Sequence, residues 1–197
     1  MEMSNNDRLG TIGESTRSVA DRIVTTWKRA TSADLDNGAG WYAEGEKLVD
    51  ELADEFELTR ESVAAVIAHL SPRTTWSRNT QGARALLATG AAPGCLGANV
   101  DRARDALESA DPLATLNGPK TSRFALNLLG DRDAVTVDVW AVRVALGDRD
   151  DLDQVLARVG MYAAIEHAYR TAARRMGVDP TTMQATTWVV ARNGRAC

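Results

Sequence analysis

Apolar positions recur at helical spacing along most of the chain, and nowhere do they alternate with polar ones at period two over any length. Val19, Ile23 and Trp27 fall four residues apart and predict a helix from about Glu14 to Ala30. The breaker-rich segment TSADLDNGAG reads as a loop, and a second helix follows from Trp41 to Phe56 with Leu48, Leu52 and Phe56 in register. Thr59 is a cap for a third helix whose buried stripe is Val63, Val66, Ile67 and Leu70, ending near Pro72. A fourth helix covers about Asn79 to Leu87, a Gly/Pro-rich loop follows, and another helix runs from about Val100 to Ser109.

Pro119 suits the first turn of the next helix, because its missing N–H is one the helix has no use for there. Phe124, Leu128 and Leu129 share a face of that helix, and Gly130 stops it. Ala134 to Val137 is apolar and β-branched, hence extended; Asp138 then opens a helix that ends at Gly147. A short helix to about Val159 and a longer one from Tyr162 to Met176 follow, and Asp179–Pro180 starts a final helix through Trp188 to Ala191. The reading is an all-α fold of about ten short helices, with a flexible tail over 1–13 and one helical domain over 14–197.

Composition changes little in this picture. The chain of 197 residues is 44% hydrophobic and 25% charged, which is ordinary for a globular protein with a real core. No apolar run approaches the roughly 20 residues that span a bilayer, and the N-terminus lacks the basic-then-apolar pattern of a secretion signal. No membrane partner is expected. Cys95 and Cys197 make no disulfide framework and fall short of the four thiolates of an iron–sulfur cluster. His69 and His167 are the only histidines, His69 sits in an apolar run as a core residue, and neither a metal nor a cofactor is expected. The net charge of −4 argues against coating nucleic acid by charge alone, but leaves room for a local basic face.

Lys120 and Asp138 are the residues on which chemistry can rest. Each falls at the start of a helix. A lysine near helix N-termini loses its proton more easily and can attack carbon as an amine. A carboxylate there can activate water and stabilise an oxocarbenium charge. The plain alternative is a surface lysine and a helix cap.

The stretch GPKT followed by VTVDVWAVRVALG resembles the helix-hairpin-helix DNA glycosylases of the endonuclease III superfamily. In that family a glycine-rich hairpin leads into a helix bearing lysine, and a V-D-x-H-x-x-R-V segment carries the catalytic aspartate. Lys120, Asp138, Arg143, Val144 and Gly147 match at the family's spacing. Upstream, AAVIAHLSPRTTWSRNTQGARALL is similar to the family's helix ending in L-S-x-Q-x-x, so the resemblance runs from about Ala64 to Gly147. There are departures. The family's L-P-G-V-G-x-K hairpin is here Ala114, Thr115, Leu116, Asn117, Gly118, Pro119 before Lys120. The histidine after the aspartate is Trp140, and the carboxy-terminal cluster motif is absent.

The resemblance implies a two-lobed helical bundle acting on DNA, either a duplex with one base flipped out or a single strand, as a monomer in the cytoplasm of a bacterial host cell. It implies that Asp138 stabilises the sugar cation and that Lys120 can attack C1′ to form a Schiff base. Asn117 and Gly118 of the hairpin, with Arg73, Arg78, Arg123 and Arg143, are the candidate DNA contacts. Ser71, Trp76, Trp140 and Trp188 are the candidate base pocket, the tryptophans by stacking. Two alternatives stay open. One is a phage-type enzyme that transfers an amine or amino acid onto an activated 5-hydroxymethyluracil; the other is a non-catalytic DNA-binding module.

Overall fold

A computed structural model describes residues 3–194. Among them are eleven α-helices, one 3-10 turn and no strand, so the chain is all-α. No helix among these residues is long and apolar enough to cross a membrane. The chain divides into two compact units, one formed by residues 1–42 with 132–197, the other by 43–131.

The first unit opens with α1 (Asn5–Gly10) and α2 (Thr16–Trp27). A flexible tail is expected over 1–13, but residues 5–10 of it form a helix. Ser4 and Asp7 form a reciprocal capping box, Leu9 is fully buried in the core, and Arg8 donates to the Val159 carbonyl at 2.7 Å. A polar hexapeptide looks unstructured, but one buried leucine and two satisfied caps hold it. The remaining helices of this unit are α8 (Val139–Leu146), α9 (Leu152–Leu156), α10 (Met161–Met176) and α11 (Pro180–Arg192). In α10, Met161, Ala164, Ile165, Ala168, Tyr169, Ala172 and Ala173 form one buried face, packed on α1, α2, α8 and α11.

The second unit holds α4 (Arg60–Leu70), α5 (Trp76–Thr89), α6 (Gly97–Glu108), a 3-10 turn (Leu113–Thr115) and α7 (Pro119–Leu128). Residues Ser62 to Leu70 of α4 are all buried, so this helix is wrapped on every side, by α5, α6 and α7. Its alanines at 64, 65 and 68 let those neighbours come close. His69 is 4% exposed, and its Nε2 meets the Thr115 hydroxyl at 2.9 Å. That hydroxyl gives its one proton to the Pro112 carbonyl at 2.6 Å, so the imidazole is the donor to it and carries its proton on Nε2.

One long helix, α3 (Ser32–Phe56), contributes to both units. It replaces the loop expected over 31–40, and at 25 residues it is not one of the short helices expected. Gly38, Tyr42, Gly45, Val49, Leu52 and Phe56 recur at three- and four-residue spacing, with all but Phe56 buried. The glycines are part of this stripe. A Cβ on Gly38 would lie 2.6 Å from the Thr186 Cα of α11, and one on Gly45 would lie 2.6 Å from the Leu128 side chain. Both positions are glycine because a neighbour occupies the space of a side chain.

Candidate functional site

The segment 134–137 arrives extended and buried without any sheet to join. Its backbone groups are met by side chains instead. The Tyr162 hydroxyl accepts from the Val137 N–H and donates to the Val135 carbonyl, both at 2.9 Å. The Thr181 hydroxyl donates to the Ala134 carbonyl at 2.9 Å, and the Thr181 N–H reaches the Arg132 carbonyl. A segment so fixed by α10 and α11 delivers Asp138 to one place.

Asp138 is the N-cap of α8, with φ −94° and ψ −176°. Its Oδ1 accepts from the Ala141 N–H at 2.8 Å, as an aspartate cap does. Its Oδ2 accepts from the indole N–H of Trp188 at 3.0 Å. A cap requires only the first of these bonds. The second comes from α11, fifty residues along the chain, and locks the carboxylate in one orientation. An ionised carboxylate has about four acceptor positions, so two remain open on a group that is only half-buried.

Trp188 is itself held by two neighbours. The Trp41 ring lies 4.8 Å away, tilted by 44°, and the Arg192 guanidinium sits 4.7 Å from the ring centroid. The close approach of α3 and α11 at Gly38 and Thr186 is what brings Trp41 to Trp188. One position further on, Tyr42 is buried and its hydroxyl donates to Gln184 Oε1 at 3.2 Å. Tyr169, also buried, donates to the Ala141 carbonyl at 3.0 Å. Burial pushes the ionisation of both phenols far up, the nearby hydroxyls of Thr136 and Thr187 respectively act the other way, and the negative charge of Asp138 pushes it further up. Both hydroxyls therefore stay protonated beside Asp138.

The other expected site residues fall as follows. Trp140 is half-buried against the first unit's core with the Arg143 guanidinium 4.9 Å from its ring; Arg143 also reaches Asp148 at 3.9 Å. These two lie with Asp138 and Trp188 in the first unit, whereas Lys120, Asn117, Gly118, Ser71, Arg73, Trp76, Arg78 and Arg123 belong to the second. Gly118 has φ 97° and precedes Pro119 at the first position of α7, with Lys120 at the second. The Gly118 carbonyl accepts from the Thr121 and Ser122 hydroxyls, and the Asn117 carbonyl also accepts from Thr121, all at 3.1 Å. No hydrogen bond or ion pair engages the Lys120 ammonium among the described residues.

Ser71 caps the end of α4 and donates to the Ala68 carbonyl at 2.9 Å, which occupies its proton locally. Arg73 sits exposed in the left-handed region at φ 59°. Arg78 is exposed in the first turn of α5, and Arg123 is half-buried in α7. Trp76 packs edge-on to Phe124 and faces an open groove with Glu44, Lys47, Leu48, Glu51 and Thr80. Other arginines are paired with acids: Arg84 with Glu55, Arg170 with Asp133 and Glu166, and Arg175 with Asp21.

The sequence reading missed Trp41, Tyr42, Gln184 and Arg192. A signal existed. Trp188 and Arg192 are one turn apart, and a stripe that counts glycines as packing positions runs back to Gly38. Among the described residues, no three His, Cys, Asp or Glu side chains are grouped so as to hold a metal ion. No curated protein and no solved structure shows significant similarity to the chain. The description of a protein family of unknown function, DUF7178, matches residues 6–195, and the chain belongs to that family.

Proposed function

We propose that the chain is a DNA base-acting enzyme of the helix-hairpin-helix glycosylase kind, with Asp138 as its catalytic carboxylate. The observation that carries this reading is the second bond to Asp138. A carboxylate that only capped α8 would need the Ala141 N–H; this one is also clamped by the Trp188 indole, with acceptor positions left open. Preorganised in this way, it faces a developing sugar cation without having to reorient. Asp138 accepts no bond from a guanidinium or ammonium that would quench its charge among the described residues.

Three further features support the reading. The sequence GPKT builds a turn in which Gly118 takes a positive φ and sets Lys120 in the first turn of α7. The chain divides into two units, each with its own core, as a two-lobed enzyme requires. The Lys120 amine is not engaged by any carboxylate among the described residues, as an amine nucleophile requires. In this reading the protein acts as a monomer on a flipped base, in the cytoplasm of a bacterial host.

The rebuilt hairpin favours a second reading of the same site. Pro119 brings no N–H to the turn, which weakens its grip on a duplex phosphate. A group transfer in which an amine or amino acid displaces the activating group from the 5-methylene carbon of an activated 5-hydroxymethyluracil, that group leaving with the bonding pair, uses the same residues on such a specialised DNA. Incubation with DNA carrying modified thymines, followed by mass spectrometry of the nucleosides, separates the two. Free base with an abasic site supports glycosidic cleavage, and an enlarged nucleoside supports transfer. Borohydride trapping on the DNA reports a Lys120 Schiff base. Either reaction is abolished in Asp138→Asn. If Asp138→Asn and Lys120→Ala both keep full activity, the site is wrong; binding without turnover points to a non-catalytic module.

A further inference from the structure

A groove in the first unit is lined by neither Asp138 nor Trp188. It is an open groove of about 720 Å³ between α1, α2 and α10, lined by Asn6, Thr16, Arg17, Asp21, His167, Thr171 and Arg175. Every one of these side chains is polar. From α10, His167, Thr171 and Arg175 come at four-residue spacing and therefore form one line along the helix. From α2, Arg17 and Asp21 form the facing line.

The charges do not cancel. Asp21 pairs with Arg175 at 2.6 Å, which fixes that guanidinium in the groove. Asn6 Oδ1 takes the Thr16 N–H at 3.1 Å and so ties α1 to the start of α2. Arg17 forms no ion pair among the described residues, and neither does the His167 imidazole. Arg174 stands at the rim and reaches the Thr171 hydroxyl at 3.2 Å. A chain of net charge −4 thus lines this groove with two arginines and one of its two histidines against a single acid.

We infer that this groove binds a phosphate group through Arg17, His167 and Arg175. N–H donors lining one groove, its one acid already paired, suit a tetrahedral oxyanion, and guanidinium groups bind it bidentately. An apolar ligand finds no apolar side chain here. An open groove of about 720 Å³ has room beside the phosphate for a sugar and base. The phosphate can belong to a free nucleotide or to a nucleic-acid backbone. The inference needs no base-acting chemistry and does not rest on Asp138.

The chain supplies its own reporter. It has two histidines, and the buried one, His69, is bonded to Thr115 in the other unit. At fixed pH, inorganic phosphate is expected to move the ring resonances of His167 and leave those of His69 in place. Arg17→Gln is expected to weaken this binding about tenfold, the worth of a charge-assisted hydrogen bond, and Asp138→Asn to leave it unchanged. A nucleoside monophosphate and a short single-stranded oligonucleotide are titrated in parallel, and the tighter of the two identifies the source of the phosphate. The inference is overturned if none of the three moves the His167 ring. It is equally overturned if Arg17→Gln, with His69 resonances unaltered as proof of folding, binds as the parent does.

Discussion

The indole N–H of Trp188 donates to Oδ2 of Asp138 at 3.0 Å, and this bond ties the start of α8 to the middle of α11. Trp188→Phe keeps most of the ring but removes the donor. A hydrogen bond to a charged acceptor contributes about 1.5–3 kcal/mol, so the variant is expected to lose stability in that range by urea unfolding. A double-mutant cycle with Asp138→Asn isolates the pair, and the coupling is expected to account for most of the single-variant loss. Additive effects of the two substitutions would mean the bond contributes nothing. In base release or transfer assays, Trp188→Phe is expected to lower kcat with little change in KM, because its role is to hold Asp138 rather than the substrate.

Gly38 and Gly40 lie two residues apart in α3 and are expected to respond to alanine in opposite directions. A Cβ at 38 meets the Thr186 backbone at 2.6 Å, so α3 and α11 must part. Overpacking of this kind costs about 1–3 kcal/mol, more than the roughly 1 kcal/mol that alanine gains over glycine in a helix. At Gly40 nothing lies within 4 Å of the new Cβ, and only the propensity gain remains. Denaturant midpoints should fall for Gly38→Ala and rise for Gly40→Ala. The first variant should also perturb the Trp41–Trp188 pair, which tryptophan near-ultraviolet circular dichroism reads directly.

Local signals were legible wherever one residue and its near neighbours decide the outcome. Thr59, Asp138 and Asp179 each cap the helix that their positions predict, and Pro119 and Pro180 stand in first turns. The first part of α3 was not legible, because DNGAG reads as a breaker unless the glycines are known to face a neighbouring helix. Nor was α1, whose single buried residue, Leu9, gives no period to read. At the site, Asp138 was visible as a cap with chemical potential. Trp188 was visible as a candidate stacking aromatic, but its bond to Asp138 and its contacts with Trp41 and Arg192 were not. Contacts across fifty or more residues carry no local periodicity.

Tyr162 is expected to be worth more than its half-buried position suggests. Its hydroxyl serves two backbone groups of the extended segment, the Val137 N–H and the Val135 carbonyl. Tyr162→Phe leaves both without that partner next to buried valines, and each unsatisfied group costs about 1–3 kcal/mol. A loss of about 2–4 kcal/mol in urea unfolding is expected, together with faster amide exchange at Val137 and a drop in any activity that depends on Asp138. Unchanged exchange at Val137 would show that the segment is held by other means.

His69 makes the second unit sensitive to acid. Its ionisation is held below the usual histidine value, chiefly because burial disfavours the charged ring and then because of Arg102, while Asp105 acts the other way. The folded state therefore binds its proton less readily than the unfolded chain, whose histidine titrates near about 6.5. Below that value the unfolded state carries more protons, so stability rises with pH in this window and is complete above it. As the pH falls from 7.5 to 5 the contribution of His69 is lost, with a slope of at most about 1.4 kcal/mol per pH unit. In His69→Gln the amide keeps a donor for Thr115 and cannot titrate, so it is expected to be less stable than the parent at pH 7.5 but to lose less on acidification. Parallel urea titrations at the two pH values measure the difference. Identical acid sensitivity of parent and variant would place the titrating group elsewhere.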